Sequence, residues 1–434
     1  MIRPVSSLTF ASLLVACSDS SSPPPPPPDQ PAVANPAREI VDTKLSFDVT
    51  AHTGHAAITL GASATPGATL EVGDLTLGAV TIDGFEIQRA YSQSKHTLDL
   101  GVAASEDPIT VDVDFTYTVH DNFDGASSTG YTMLWPYYCG NLFPCHSDPK
   151  DGTTFSLELT AVPSGKTAVF PTTIPADAPS YQVAWSIDDY VDTVLGTTTA
   201  GTQLVITHRT SEATAAATGG ANLVAAFDWM EKTLGPYRFG PIAGTVSVQW
   251  GPGAFGGMEH HPRWHVAAGA LASEETNVHE AAHGWFGDGI RIGCWEDFVL
   301  SEGTVTYLAG RALEVVAPTV GAQVWNGYAN ELKGIPGTNP VWPQSCGMID
   351  ILGDNLFTNA PYIRGAFFYR ALAGKVGADQ VDQVLATFYA AHAGGSATMT
   401  GMLQTIQQVT GYDATACANT WLKATTTPMP GPCP

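Results

Sequence analysis

Between residues 37 and 205 apolar and polar positions alternate along the chain. The segments KLSFDVTAH (44–52), GATLEVGDLTLGAVTIDGFEIQRAY (67–91), HTLDLGV (96–102) and PITVDVDFTYTVH (108–120) put every second side chain on one face. Gly, Pro, Asp and Asn punctuate them. A period of two broken by turn residues predicts an antiparallel β domain, and no helix-length stretch of period 3.6 stands out in it. After Ser211 the period changes. Residues 211–235 (SEATAAATGGANLVAAFDWMEKTLG) read as helical and 243–250 (AGTVSVQW) as a strand. Residues 274–288, 296–316, 362–376 and 378–392 all suit helices. In the last, Val381, Val384, Leu385 and Phe388 fall at i, i+3, i+4 and i+7 and mark a packing face. The pattern therefore divides the chain into an N-terminal antiparallel β domain, residues 38–205, and a mostly helical α/β domain, residues 206–434.

The first residues follow a different grammar. In MIRPVSSLTFASLLVAC (1–17) one cation, Arg3, precedes an apolar stretch from Val5 to Ala16 that ends in small residues, as signal peptides do. The closing Leu14-Val15-Ala16-Cys17 resembles the lipobox of bacterial lipoproteins, in which the cysteine carries the lipid. Residues 18–37 then form a Ser/Pro-rich linker. Its six prolines, Pro23 to Pro28, favour stiff polyproline II. The expectation is an exported protein of the bacterial envelope, lipid-anchored at Cys17, periplasmic or surface-exposed.

Composition narrows the partners. The 434 residues carry 18 Lys+Arg against 41 Asp+Glu, a net charge of −23, which repels phosphate backbones and argues against nucleic acid. The longest apolar run is too short to span a bilayer, so membrane contact is expected only through the anchor. Setting Cys17 aside leaves six cysteines, an even number that fits disulfides in an exported chain. Six cysteines allow fifteen connectivities. Pairing sequence neighbours gives Cys139–Cys145, Cys294–Cys346 and Cys417–Cys433.

The candidate chemistry lies in one stretch. His279-Glu280-Ala281-Ala282-His283 places two imidazoles four apart, on one helix face, with a carboxylate beside them. Three fixed positions alone also fit a solvated helix with two unrelated histidines. Glu302, in EDFVLSEGTVTYLAGRALE, is 19 positions beyond His283 and can project from a second, packed helix. Two His and one carboxylate leave a fourth tetrahedral position for water, the arrangement of a catalytic site with one Zn²⁺ ion. The intervening GWFGDGIRIGCW is apolar and Gly-rich, as a tight buried connection would be. Upstream, Gly256-Gly257-Met258-Glu259-His260 offers glycines for close backbone approach and, in Glu259, a carboxylate to pair with an ammonium group. Glu259 could instead bridge to Arg263. His260, His261 and His265 read as surface or pocket-rim histidines.

HEAAHGWFGD followed by Glu302-Gly303, with GGMEH upstream, resembles the aminopeptidase N family of zinc metallopeptidases (gluzincins). Phe143-Pro144-Cys145 with Asp148-Pro149 resembles that family's signature late in its β domain. Pro361-Tyr362-Ile363-Arg364-Gly365-Ala366 resembles its tyrosine-bearing segment. The likeness spans roughly residues 40–425. It implies a thermolysin-like catalytic domain, with His279, His283 and Glu302 as zinc ligands and Glu280 as the general base. It also implies Tyr362 as the donor to the tetrahedral oxyanion, Glu259 as the group that binds a free N-terminal amine, and Gly256, Gly257 and Met258 as the strand that meets substrate backbone. The implied function is removal of N-terminal residues from peptides, by a monomer. The sequence departs from the family at several places. His260 stands for an Asn after the motif glutamate, Trp135 for a Gln that helps hold the amine, and Gly140 for a basic residue. Ser301 and Asp288 stand where Asn is usual. Trp135 keeps open an endopeptidase using the same machinery, and a catalytically inactive envelope scaffold is the remaining alternative. About 130 residues follow Glu302, fewer than in relatives with a large helical C-terminal domain, which implies a more open cleft.

Overall fold

The computed structural model describes residues 29–251, 255–336, 339–343 and 346–434. The signal segment, Cys17 and the proline run lie outside the described residues. Most of the alternating sequence forms a sheet of seven strands, β1 (Ile40–Asp48), β2 (Thr53–Leu60), β3 (Thr76–Ile82), β4 (Phe85–Glu86), β5 (Ile109–Thr116), β6 (Thr153–Thr160) and β7 (Thr173–Ala178), while Ala68–Glu71, Arg89–Ser92 and Thr97–Leu100 pair in a separate three-stranded sheet. Their order is β7–β6–β1–β2–β5–β3–β4. Neighbours are antiparallel except β1 and β6, which run parallel. Alternation places Ala56, Ile58 and Leu60 of β2 beside Val111, Val113 and Phe115 of β5 on the buried face. Val33 bridges to Leu100, so the chain is already tied to this body ahead of β1.

A second sheet follows: β8 (Tyr190–Thr197), β9 (Gln203–Arg209), β10 (Ile242–Val248), β11 (Gly257–Met258) and β12 (Arg263–Ala267), in the order β8–β9–β10–β12–β11. Residue 205 falls inside β9, which pairs antiparallel with β8 and parallel with β10. Both strands thus sit in the sheet of the second body. β11 is an edge strand, paired only through Gly257–Val266 and Met258–His265 among the described residues.

Among the described residues the α-helices of this body are α1 (Ala213–Gly219), α2 (Leu223–Leu234), α3 (Glu274–Ala282), α4 (Phe298–Val316), α5 (Pro318–Gly334), α6 (Asn359–Val376), α7 (Ala378–His392), α8 (Met399–Thr410) and the single turn Thr415–Ala418. Ser273 starts α3 by accepting the Thr276 N–H at 3.1 Å, and Glu274 and Glu275 favour its positive end. Pro318 opens α5 at a position where its missing N–H costs nothing. Val381, Val384, Leu385 and Phe388 of α7 are fully buried, as their spacing requires. Phe227, Trp264, Val278, Trp285 and Leu308 belong to the same core.

One crossing sets the site. A Cβ on Gly303 of α4 would lie 2.7 Å from the Gly365 Cα of α6, and one on Gly365 would lie 2.5 Å from the Gly303 Cα. Only two glycines allow so close a contact. The expected disulfides Cys139–Cys145, Cys294–Cys346 and Cys417–Cys433 are formed. No helix among the described residues is long and apolar enough to cross a membrane.

Candidate metal centre and cleft

The helical spacing of His279 and His283 brings their rings to 5.2 Å, centroid to centroid. His283 donates from Nδ1 to the Phe286 carbonyl at 3.0 Å, which fixes the ring and leaves Nε2 free to face α4. Gly287 makes this turn: its φ is +103°, and a Cβ there would strike the same imidazole. From α4, Glu302 presents Oε2 3.2 Å from His279 Nε2 and 3.5 Å from His283 Nε2. Thr306, one turn on, donates to the Glu302 carbonyl at 2.7 Å and lies 3.5 Å from His279 Nδ1. One ligand atom from each of His279, His283 and Glu302 lies within 4.8 Å of the other two. All three residues are buried.

Two imidazole nitrogens and one carboxylate oxygen converging in a buried place are the donor set of a catalytic zinc site, and these residues fit the ion. Burial alone would raise the Glu302 carboxyl. The charge of His283 and hydrogen bonds from both imidazoles overcome that and hold it at about 2. Glu280 has no such bonds, and burial pushes it up to about 8. Glu259 is also raised by burial, and the second carboxylate group at the centre is formed by Glu259, Glu280 and His283. Tyr362, near the start of α6, stacks its ring 5.9 Å from that of His279. Arg263 reaches Thr207 and lies 3.7 Å from Asp192, so it does not neutralise Glu259.

These groups line a cleft of about 530 Å³, together with Gly256, Gly257 and Met258 of the edge-strand segment. The structure thus brings all nine expected site residues to one place. It also supplies residues that sequence reasoning missed. Tyr328 of α5 donates to Glu275 at 2.7 Å, and both line the cleft with Glu331 and Thr306. Phe255 and Phe357 line it from loops, and Trp135 from the β domain. The histidines expected at the surface are not there. His260, His261 and His265 are at most 1 % exposed, packed among Tyr237, Phe239, Trp250 and Trp264. Internal bonds hold part of them: His260 and His265 meet through Nδ1 atoms at 3.1 Å and His261 donates to the Glu280 carbonyl at 2.9 Å, whereas the buried Nε2 of His260 has no partner among the described residues.

A β domain joined to a helical domain that buries two histidines and a distant glutamate defines a two-domain metallopeptidase fold. Residues 261–421 match the model of the peptidase family M1 domain. The match covers less than half of the chain, and over that segment the chain carries the peptidase family M1 domain. Aminopeptidase N of Streptomyces lividans is 28 % identical over 156 residues, which cover 34 % of this chain and 18 % of that protein. Leucine aminopeptidase 2 of Aspergillus oryzae is 25 % identical over 38 % of this chain and 28 % of its own length. The matched part is thus less than a third of either relative. An M1 zinc metallopeptidase of Deinococcus radiodurans, solved as a mutant bound to a Tyr-Ser-Ala substrate, shares the fold. Its TM-score is 0.78 at 18 % identity, covering 91 % of this chain and 96 % of that one.

Proposed function

We propose that this chain is a zinc aminopeptidase that releases N-terminal residues from peptides. One observation carries the reading. Glu259, 5 % exposed and with no Lys or Arg salt bridge among the described residues, sits in the cleft beside the His279–His283–Glu302 cluster. A carboxylate so placed rewards a substrate whose ammonium lies one residue from the scissile bond, and it turns an open cleft into an exopeptidase site.

His279, His283 and Glu302 would hold one Zn²⁺, which when bound polarises the scissile carbonyl and makes water a nucleophile at neutral pH. Glu280 is the general base; its burial gives it the basicity to take a proton and deliver it to the leaving amine. Tyr362 is the hydroxyl donor to the developing oxyanion. Burial and the neighbouring carboxylates Glu302, Glu259 and Glu280 hold its phenol above the ordinary range, so it keeps its proton. Gly256, Gly257 and Met258 present the free side of an edge strand, to which a peptide can add by backbone hydrogen bonds. All nine proposed site residues come from one chain, in keeping with action as a monomer. Export and anchoring at Cys17 complete the proposal, on the signal and lipobox pattern of residues 1–17. Cys17→Ser would then release the protein from the membrane fraction.

The test is hydrolysis of an aminoacyl arylamide and of its N-acetylated form, with zinc content measured, by the wild type and Glu280→Gln. Zinc retained at one per chain, and hydrolysis lost in the variant and absent for the blocked substrate, is expected. Equal hydrolysis of the blocked substrate would make the chain an endopeptidase. Zinc without Glu280-dependent hydrolysis would make it a scaffold.

A further inference from the structure

We infer that the cleft selects peptides whose first residue has an aromatic or other large apolar side chain, and that Trp135, Phe357 and Phe255 form the selecting wall. The inference rests on the aminopeptidase reading and names the substrate class of that same site.

Trp135 comes from the β domain, Phe255 from the loop before β11, and Phe357 from the loop before α6. Their rings are continuous: Trp135 to Phe357 is 4.6 Å between centroids, and Phe357 to Phe255 is 5.3 Å. All three border the cleft. Trp135 is braced from behind by Trp295 at 5.8 Å and by Phe298 at 6.0 Å, whereas Phe255 and Phe357 are only half-buried. Two half-buried aromatic rings beside a buried indole, in a cleft otherwise rich in carboxylates, are apolar surface that a ligand can cover.

The position of Glu259 says which part of the substrate covers it. Glu259 and Trp135 both line the cleft, and they also share a small void with Trp295 and Phe298 behind the indole. In an N-terminal residue the ammonium and the side chain leave the same carbon. With the ammonium at Glu259, the side chain lies against the walls of the same cleft, and Trp135, Phe357 and Phe255 are its aromatic part. Burying an aromatic side chain there removes much more apolar area from water than burying a methyl group. Glu259, Glu280 and Glu302 at the same centre disfavour an acidic first residue.

The experiment compares kcat/KM for arylamides of Phe, Trp, Leu, Ala and Asp, which share one leaving group. Phe and Trp exceeding Ala at least ten-fold, with Asp slowest, is expected. Phe357→Ala and Phe255→Ala should cut the Phe-to-Ala ratio several-fold while alanyl turnover stays within about three-fold. Trp135→Ala should do the same if its buried indole can be removed without unfolding; the two half-buried positions decide the matter if it cannot. A wild-type ratio near one, or variants that slow every substrate equally, would overturn the inference. Calorimetric titration of zinc-loaded protein with L-tryptophan and L-alanine separates it from the parent reading. Tighter tryptophan binding without any hydrolysis would sink the peptidase and keep the subsite. Hydrolysis with equal binding of the two amino acids would sink the subsite and keep the peptidase.

Discussion

Gly257 faces Glu280 so closely that a Cβ on the glycine would collide with the Glu280 carboxylate. The edge strand and the proposed general base therefore share one boundary, with no room for a methyl group between them.

Gly257→Ala should push the Glu280 carboxylate out of position. A displacement of this kind costs on the order of a hundred-fold in turnover. Gly257 lies on a two-residue edge strand rather than in the core, so the thermal midpoint should fall little. Steady-state kinetics beside a melting curve checks this; unaltered kcat would show that the collision is relieved elsewhere.

Metal removal should act on both activity and stability. A ligand that binds only the folded state stabilises by about 2.7 kcal/mol at a hundred times its Kd. Stripping with a chelator should abolish hydrolysis and lower the melting temperature, and added Zn²⁺ should restore both. Glu302→Gln should lose the zinc-dependent shift, because the amide cannot neutralise the ion as the carboxylate does. Melting curves with and without zinc, for both proteins, give the answer.

The buried histidines make stability depend on pH. Burial holds His261 and His265 at about 3, far below the ordinary histidine value of about 6.5. Below pH 6.5 the unfolded chain takes up their protons first, so their contribution is intact above that pH and is lost progressively as pH falls toward 3. Each contributes a slope of about 1.4 kcal/mol per pH unit in that window. His265→Gln should therefore show a stability–pH slope shallower by about that amount between pH 6 and 5. Urea unfolding of both proteins at the two pH values isolates this histidine from the carboxyl groups, which are common to both. Equal slopes would mean that His265 takes up its proton in the folded state.

Arg364 is fully buried on α6 and donates to three backbone carbonyls: Trp421 at 2.8 Å, Ala424 at 2.7 Å and Asn339 at 3.2 Å. Burial lowers its pKa to about 10, so it stays charged at neutral pH. Arg364→Met removes these donors and leaves the carbonyls unsatisfied, at a cost of roughly 3 kcal/mol. The urea midpoint should fall accordingly, and proteolysis should cut first near residues 339–343 or 421–424.

The division into strands then helices was legible because period two and period 3.6 are local signals. The three ligands were legible for a similar reason: i and i+4 share a helix face, and Glu302 sits on a strongly periodic helix. The even cysteine count was legible as disulfides, but spacing alone left fifteen connectivities, of which the nearest-neighbour pairing is the one formed. Phe255 and Phe357 were not legible, since loop residues carry no period and only tertiary packing brings them beside Trp135. Trp135 itself was visible only as a departure from the family, not as a wall. The α5 face of Gly321, Trp325, Tyr328 and Leu332, at i, i+4, i+7 and i+11, carried a readable signal that would have pointed to Tyr328. The buried histidines were misjudged because polarity was weighed without their internal hydrogen bonds. β8 and β9 read as ordinary strands, and nothing in their alternation says which sheet they join.

The Gly303–Gly365 contact couples two functions that the chain keeps about sixty residues apart. Glu302 precedes the first glycine, and Tyr362 lies one helical turn before the second. Any side chain added at the crossing would pry Glu302 and the Tyr362 phenol apart together, by the same lever. The spacing between Glu302 and Tyr362 is thus built into bare backbone, where no rotamer can relax it.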